Sequence, residues 1–195
     1  MSFYPPEINE RFRSPRNAGA PSARTNAVGT GASFVCGAFV RFYLEIDRTT
    51  KKIGRARFAS NGCGFALAAA DVLAEKIVGR KLTELHGLPP GKIENEIEAA
   101  LLPFGATRAH CAESCVAAAQ RAFADFRARQ LEEFAGEKAL ICTCFGVSEE
   151  TIEKTVAARD APTVEEIGEI CRAGTGCGAC RFLIREIIDA QTTEY

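Results

Sequence analysis

The chain has 195 residues, of which 47% are hydrophobic and 25% charged, and its formal net charge is −1. This ordinary globular usage argues against disorder and against a fibrous repeat, and the near-zero charge gives no bulk attraction to nucleic acid or to an anionic membrane. No apolar run is long enough for a membrane-spanning helix, and the N-terminal segment lacks the basic and apolar regions of a signal peptide. We therefore expect a cytoplasmic protein without nucleic-acid or membrane partners.

The most unusual feature of the composition is nine cysteines beside only two histidines. In a reducing cytosol these thiols should not form disulfides, so cysteines at short spacings indicate metal or redox chemistry, and two histidines exclude a three-histidine zinc site. The nine are Cys36, Cys63, Cys111, Cys115, Cys142, Cys144, Cys171, Cys177 and Cys180. The first four are widely spread and the last five are close together, which predicts two modules.

The first module is predicted to be a strand hairpin followed by helices. Alternating apolar and polar residues through Phe34–Ile46 predict a strand that carries Cys36, and Lys52–Ser60 predicts the returning strand. After the tight turn Asn61–Gly64 the apolar period becomes helical. Helices are predicted at Phe65–Val78, Lys92–Leu102 and Cys111–Phe134. The expected fold class is α+β, a small antiparallel sheet packed with helices.

A boundary between the modules is predicted at Ala135–Lys138, where a long helical pattern meets a glycine. The charge also changes there, because residues 1–135 carry 18 basic and 14 acidic side chains, a net of +4, while residues 136–195 carry 6 and 11, a net of −5. We therefore predict domains at 1–135 and 139–192.

The second module is predicted to be small and all-α. Ser148 precedes an apolar-periodic run as an N-cap should, Thr163 with Glu166 forms a capping box, and Arg181–Ala190 reads as a last helix. A unit of this size has a small hydrophobic core, so it needs a bound metal or another cross-link to be stable.

Four cysteines of this second module form two short pairs, Cys142-Thr143-Cys144 and Cys177-Gly178-Ala179-Cys180. Each pair can place two sulfurs on one side of a turn, and the neighbouring glycines let the backbone approach and aim N–H groups at sulfur. Four thiolates suit either tetrahedral Zn²⁺ or an iron–sulfur cluster. The spacing predicts a metal site and leaves both metals open.

Three cysteines of the first module occupy different settings. Cys36 is on the predicted strand, Cys63 is in a glycine turn, and Cys111 opens a long helix whose dipole should lower its thiol pKa. Three thiolates from separate elements would leave a metal site with an exchangeable position, although scattered cysteines are also typical of core residues.

The second module resembles the bacterioferritin-associated-ferredoxin-like [2Fe–2S] domain over Leu140–Ile188. The resemblance rests on the pattern C-x-C, 32 residues, then C-x-x-C, with helices between the pairs. It implies that a permanent [2Fe–2S] cluster, which exchanges single electrons, is held by Cys142, Cys144, Cys177 and Cys180. Cys171 is then a spare thiol.

The first module resembles the NifU/IscU scaffold family over residues 3–133. The matching motifs are Arg11–Gly19, Cys36-Gly37, Asn61–Gly64 and His110-Cys111. The resemblance implies an IscU-like fold in which Cys36, Cys63 and Cys111 are the metal ligands and His110 is an occasional fourth. On these residues iron, or zinc, binds, and a transient cluster is built with sulfide from a cysteine desulfurase and passed to apo-proteins. A possible electron donor is a further partner, and a homodimer is one possible oligomeric state.

Three departures from the family pattern stand out. Ala38 occupies the place of a usual aspartate, which predicts slower cluster release. The family segment Leu-Pro-Pro-x-Lys, which docks a DnaK-type chaperone, normally abuts His-Cys, but here Leu88–Lys92 lies farther upstream. The usual third Cys-x-x-Cys domain of NifU is not found in the sequence up to Tyr195.

The expected function is that of a carrier and not of an enzyme, namely a two-domain iron–sulfur assembly scaffold with one transient and one permanent centre. Two alternatives remain open at this level. One is a [2Fe–2S] electron-transfer ferredoxin whose first domain docks a partner, and the other is a zinc-stabilised interaction or regulatory protein.

Overall fold

The computed structural model describes residues 3–86, 88–133, 138–160 and 162–192. Its contacts divide the chain into two compact units. The first comprises Met1–Asp47, Lys52–Arg80 and Leu88–Phe126, and the second comprises Arg48–Lys51, Lys81–Gly87 and Arg127–Tyr195. The predicted joint at Ala135–Glu137 lies outside the described residues, so the domain limits 1–135 and 139–192 stay a prediction.

The first unit is built on a three-stranded antiparallel sheet. Its strands are β1 (Ala27–Ala32), β2 (Phe39–Ile46) and β3 (Ile53–Ser60), paired in the order β1-β2-β3. Alternate side chains of β2 are buried, as the two-residue period requires. The predicted returning strand and the α+β fold class are thus confirmed, and the glycine-rich β1 is an additional strand.

Strand β1 has no run of large apolar residues because it lies directly against a helix backbone. A Cβ atom added to Gly31 would lie 2.0 Å from the carbonyl oxygen of Ser114, and one added to Gly29 would lie 2.2 Å from that of Ala118. Only glycine permits this approach. The two glycines therefore fix the sheet against the long helix Ala109–Glu132.

Five helices occur up to residue 133 of the described chain. They are α1 (Pro6–Arg13), α2 (Gly64–Ile77), α3 (Leu82–Leu85), α4 (Lys92–Ala100) and α5 (Ala109–Glu132). The helices predicted from periodicity correspond to α2, α4 and α5. Helix α1 is held against α2 through Asp71, a fully buried carboxylate that binds Arg11 at 2.6 Å and accepts a hydrogen bond from the Asn17 backbone N–H at 2.8 Å.

From residue 138 onward, the described part of the second unit contains the three predicted helices and, in addition, a short two-stranded hairpin. The elements are β4 (Leu140–Cys142), β5 (Val147–Ser148), α6 (Glu149–Ala157), α7 (Val164–Cys171) and α8 (Arg181–Thr192). Both predicted caps are present, since Ser148 accepts from the Thr151 backbone N–H and Thr163 forms a capping box with Glu166. Within the described ranges, no helix is long and apolar enough to cross a bilayer.

Candidate metal and cluster sites

Cys36 lies in the turn between β1 and β2, not on a strand, so the predicted strand Phe34–Ile46 begins too early. The turn is closed by two hydrogen bonds of Ser33, whose N–H donates to Ala38 and whose carbonyl accepts from Gly37, both at 2.9 Å. Gly37 has a φ of +68°, which ends the extended conformation. Phe34 is fully exposed there, and the Cys36 thiol reaches solvent.

The other two cysteines of this set lie at helix starts. Cys63 is the N-cap residue of α2 and is half-buried, while Cys111 is the third residue of α5 and is buried. All three cysteines and His110 line one pocket. The complete lining is Ser33, Cys36, Ala38, Val40, Cys63, Ala66, His110, Cys111 and Ser114. The structure therefore brings together the four residues that the sequence predicted, and it places Ala38 among them.

This pocket is narrow, and the exposure of its cysteines increases from its floor to its mouth. Its free volume is about 10 Å³, which is about the space of one water molecule. Cys111 forms the buried floor and Cys36 the exposed mouth.

The electrostatics of Cys111 differ from the prediction. Burial raises the pKa of the Cys111 thiol to about 12, and the neighbouring Cys63 and Cys36 thiols raise this pKa further. The predicted lowering by the dipole of α5 is therefore wrong, because removal of the thiolate from water and repulsion between neighbouring thiolates outweigh the partial charge of a helix N-terminus. A bound cation would remove both penalties.

Arg108 is a site residue that the sequence analysis missed. Its Nη1 atom donates to the Cys63 sulfur at 3.9 Å, and its guanidinium carbon lies 5.2 Å from the centre of the Phe65 ring. It also opposes the rise in the pKa of Cys111. The available signal was a basic residue just before His110-Cys111, although the ring that positions it could not be assigned from the sequence.

The four paired cysteines of the second unit lie on two turns. Cys142 and Cys144 flank the start of the β4–β5 turn, and Cys177 and Cys180 belong to the loop that precedes α8. All four are buried and line one cavity of about 200 Å³. The complete lining is Ile141, Cys142, Thr143, Cys144, Cys177, Ala179, Cys180 and Leu183. The predicted four-thiol set is thus brought together.

Within this cavity each thiol interacts with a thiol of the other turn. A hydrogen bond between Cys142 and Cys180 lowers the pKa of Cys142 to about 6 and raises that of Cys180. The corresponding bond between Cys144 and Cys177 lowers the pKa of Cys177 to about 5 and raises that of Cys144. In each pair one sulfur accepts and the other donates, so one thiol per pair is favoured as a thiolate.

The backbone around these sulfurs fits an anionic centre. Backbone N–H groups, including that of Gly174, point at Cys142 and lower its pKa further. A Cβ atom added to Gly176 would lie 2.6 Å from the Cys144 Cβ and 3.0 Å from its sulfur, so only glycine leaves room there. Four thiols with amide donors suit an iron–sulfur cluster, and the thiols alone also suit zinc.

Neither set is closed around an ion as the side chains stand. Among the side chains that the structure describes, no group of three or more His, Cys, Asp or Glu residues is arranged to hold a metal ion. All nine cysteines are free thiols, and Cys115 and Cys171 instead bond to backbone carbonyls of Ala66 and Ile167.

Two family matches cover these two cysteine sets separately. Residues 3–133 match the NifU-like N terminal domain, which is well over half of the chain. The chain belongs to this family. Residues 140–190 match the BFD-like [2Fe-2S] binding domain, and the combined recognition from the sequence is thereby confirmed.

Curated relatives of this NifU-like chain are named for nitrogen fixation or for iron–sulfur cluster assembly. Nitrogen fixation protein NifU of Azotobacter chroococcum mcd 1 is 31% identical over 192 residues, covering 98% of this chain and 60% of the relative. The iron-sulfur cluster assembly scaffold protein IscU of Haemophilus influenzae is 29% identical over 129 residues, covering 65% of this chain and 98% of the relative. The chain therefore spans about three fifths of the length of the NifU relative.

A solved structure supports the fold of the NifU-like part. The N-terminal part of a nitrogen-fixing NifU-like protein from Brucella abortus superimposes with a TM-score of 0.50 at 18% identity, covering 65% of this chain and 95% of that one. At this identity the likeness concerns the fold alone.

Proposed function

We propose that the protein is an iron–sulfur cluster assembly scaffold and not a turnover enzyme. In this proposal Cys36, Cys63 and Cys111, with His110 as a fourth donor, hold a cluster in transit as cargo. Cys142, Cys144, Cys177 and Cys180 of the second unit hold a resident [2Fe–2S] cluster. The support from relatives is that a curated protein similar to this chain, IscU of Haemophilus influenzae, is named as an iron-sulfur cluster assembly scaffold protein.

The observation that carries the proposal is the contrast in exposure between the two cysteine sets. The first set runs from the exposed Cys36 to the buried Cys111, whereas all four members of the second set are buried. Ligands that reach solvent allow a partner to deliver or remove a metal centre, and buried ligands retain one. The geometry therefore favours exchange at the first set and retention at the second.

The second set is also part of the hydrophobic core of its unit. Cys142, Cys144, Cys177 and Cys180 belong to the same buried cluster as Ile152, Ile167 and Ile184. A small unit gains folding free energy from a metal centre in such a position. When bound, a [2Fe–2S] cluster exchanges single electrons. We assign it the supply of electrons to sulfur reduction or cluster coupling on the first set.

Three kinds of protein partner follow from this assignment. A cysteine desulfurase supplies sulfide, and apo iron–sulfur proteins accept the finished cluster, with an electron donor as a third partner. The exposed Phe34 and Val35 beside Cys36 are consistent with protein contacts at the mouth of the first pocket.

The test is anaerobic reconstitution with iron and sulfide, followed by absorption and EPR spectroscopy. We expect wild-type protein to hold a chelator-resistant [2Fe–2S] cluster and a second, chelator-labile one. Combined serine substitution of Cys36, Cys63 and Cys111 should remove only the labile cluster. Substitution of Cys142 and Cys144 should remove the resistant cluster and slow assembly on the first set.

Two cysteines outside both sets provide matched controls, because Cys115→Ala and Cys171→Ala remove a thiol without removing a ligand. Both should load like wild type. Retention of the labile cluster in the triple variant would leave a ferredoxin as the better assignment. A colourless anaerobic preparation with about one zinc per chain would contradict the resident cluster.

A further inference from the structure

A groove adjoins the four-cysteine pocket of the second unit. It lies between the first half of α6 and α8 and has a volume of about 280 Å³. Its lining consists of Ile141, Glu149, Glu153, Leu183, Glu186, Ile187, Ala190 and Gln191. Ile141 and Leu183 line the cysteine pocket as well. A group seated in the groove would therefore contact the wall behind which the four thiols lie.

The groove combines an apolar floor with an acidic rim. Ile141, Leu183 and Ile187 form the floor, and the carboxylates come from Glu149 and Glu153 on α6 and from Glu186 on α8. The surface beyond the floor is also apolar, because Phe182 is 70% exposed and Leu183 is 43% exposed. Apolar side chains of this size at the surface, with charges around them, are typical of a protein contact site.

The chain itself shows that this rim binds an ammonium group. Lys138 Nζ lies 2.6 Å from Glu153 Oε2. The pKa of Lys138 is raised, first by its hydrogen bond to Glu153 and further by the charge of Glu149, so both carboxylates act on one cation. The negative charge is a property of this part of the chain, since residues 136–195 carry a net of −5 and residues 1–135 a net of +4.

We propose that this acidic groove is the docking site of a protein one-electron carrier that presents lysine or arginine side chains around its redox group. The inference rests on the proposed function of the four-cysteine set. Encounters between electron carriers bury little area and depend on charge steering, which suits a small groove with an acidic rim. Cationic side chains of the carrier pair with Glu149 and Glu186, and its apolar contact surface covers Leu183 and Phe182.

The chemical step at this site is the transfer of one electron between the carrier and the centre held by the four cysteines. The carrier loses the electron that this centre gains, or the reverse, and neither an atom nor a proton is transferred. The protein residues of the groove only bind and orient the carrier.

Horse-heart cytochrome c is a suitable probe because it is a basic one-electron carrier. The affinity of ferric cytochrome c for the oxidised full-length protein measures docking without electron transfer. The rate at which the dithionite-reduced protein, freed of dithionite, reduces ferric cytochrome c measures the coupled step. The groove variant is Glu149→Gln with Glu186→Gln. Its control, Asp160→Asn with Glu169→Gln, makes the same charge change elsewhere in the same unit.

At low ionic strength we expect the groove variant to lose roughly five- to tenfold in both affinity and rate, as charge steering predicts. The control should stay within about twofold, and added salt should remove the difference. Oxidation by hexacyanoferrate(III), a small anion that needs no docking, should not be slowed. Ala190→Lys, which adds a positive charge inside the groove, should also weaken docking. Ala157→Lys adds the same charge on α6 outside the groove lining and should weaken docking less than Ala190→Lys does.

Equal losses in the two double variants would mean that only the overall charge of the protein matters. Unchanged affinity in the groove variant would mean that the carrier binds elsewhere. Either result overturns the inference while leaving the resident cluster intact. Absence of a dithionite-reducible EPR signal from wild-type protein would instead overturn the proposed function, and the docking site with it.

Discussion

The Arg108 guanidinium donates to the Cys63 sulfur across 3.9 Å while it packs over the Phe65 ring. Phe65 is itself packed edge-on against Tyr4 and Phe104, so the cation has a fixed support. Three thiolates around one divalent metal carry a net negative charge. Arg108 is therefore placed to stabilise the loaded form of the first pocket.

From this relationship we predict that Arg108→Gln lowers Zn²⁺ affinity at the first pocket by about tenfold or more, since a hydrogen bond to a charged group is worth about 1.5 kcal/mol or more. Arg108→Lys should retain part of the effect. Competition with a chromophoric chelator measures the affinity, with the triple serine variant of Cys36, Cys63 and Cys111 as the blank. Arg24→Gln, an exposed charge change, is the control. A loss shared by Arg24→Gln would show that net charge alone is responsible.

The second prediction concerns Ala38, which lines the first pocket with all three cysteines. Ala38→Asp places a labile oxygen donor and a negative charge at the ligands, so cluster transfer to an apo-ferredoxin should become faster. We expect a change of roughly tenfold, because residues that surround metal ligands change metal affinity on this scale. The transfer is followed by circular dichroism after anaerobic reconstitution. Ala38→Asn has nearly the same shape without the charge and should change the rate less. Equal release from wild type and Ala38→Asp would contradict the role assigned to this position.

The sequence predicted elements and sites best where the signal is local. The capping box at Thr163 and Glu166 needs only residues three apart, and it is present. The paired spacing of Cys142–Cys144 and Cys177–Cys180 places each pair on one turn, and these turns share a cavity. The α+β class follows in the same way from periodicities within single elements.

The sequence-based predictions failed where residues that are far apart in the chain determine the local structure. Phe34 and Cys36 continue the two-residue apolar period of β2, yet they are exposed because Gly37 ends the extended backbone. The sequence does not show a strand pattern at β1, because its glycines serve the close approach of the α5 backbone rather than strand formation. The pKa of Cys111 depends on thiols from other elements, which no local pattern reveals.

A third prediction tests the buried carboxylate of the first unit. Asp71 is fully buried, and Arg11 is its cationic partner at 2.6 Å. Arg11→Ala leaves this charge uncompensated and should lower the free energy of unfolding by roughly 3 kcal/mol. Urea unfolding measures the change. Arg13→Ala, an exposed position on the same helix, should stay within about 0.5 kcal/mol. An effect of Arg11→Ala no larger than that of Arg13→Ala would show that Asp71 is stabilised by its hydrogen bonds to Asn17 alone.

The last prediction concerns the close approach of Gly176 to Cys144. A methyl group at position 176 would lie 2.6 Å from the Cys144 Cβ and 3.0 Å from the Phe145 ring, so Gly176→Ala pushes the two cysteine turns apart. We expect an overpacking cost of about 1–3 kcal/mol in the second unit and a loss of most of the chelator-resistant cluster. Iron content, the EPR signal of the reduced protein and thermal unfolding measure these effects. Gly54→Ala is the matched control, because the nearest atom to its added carbon is 3.6 Å away in the other unit. If Gly176→Ala held a full cluster with unchanged unfolding, the four sulfurs would not need the close packing of these turns, and retention would have to be assigned to the amide donors around Cys142.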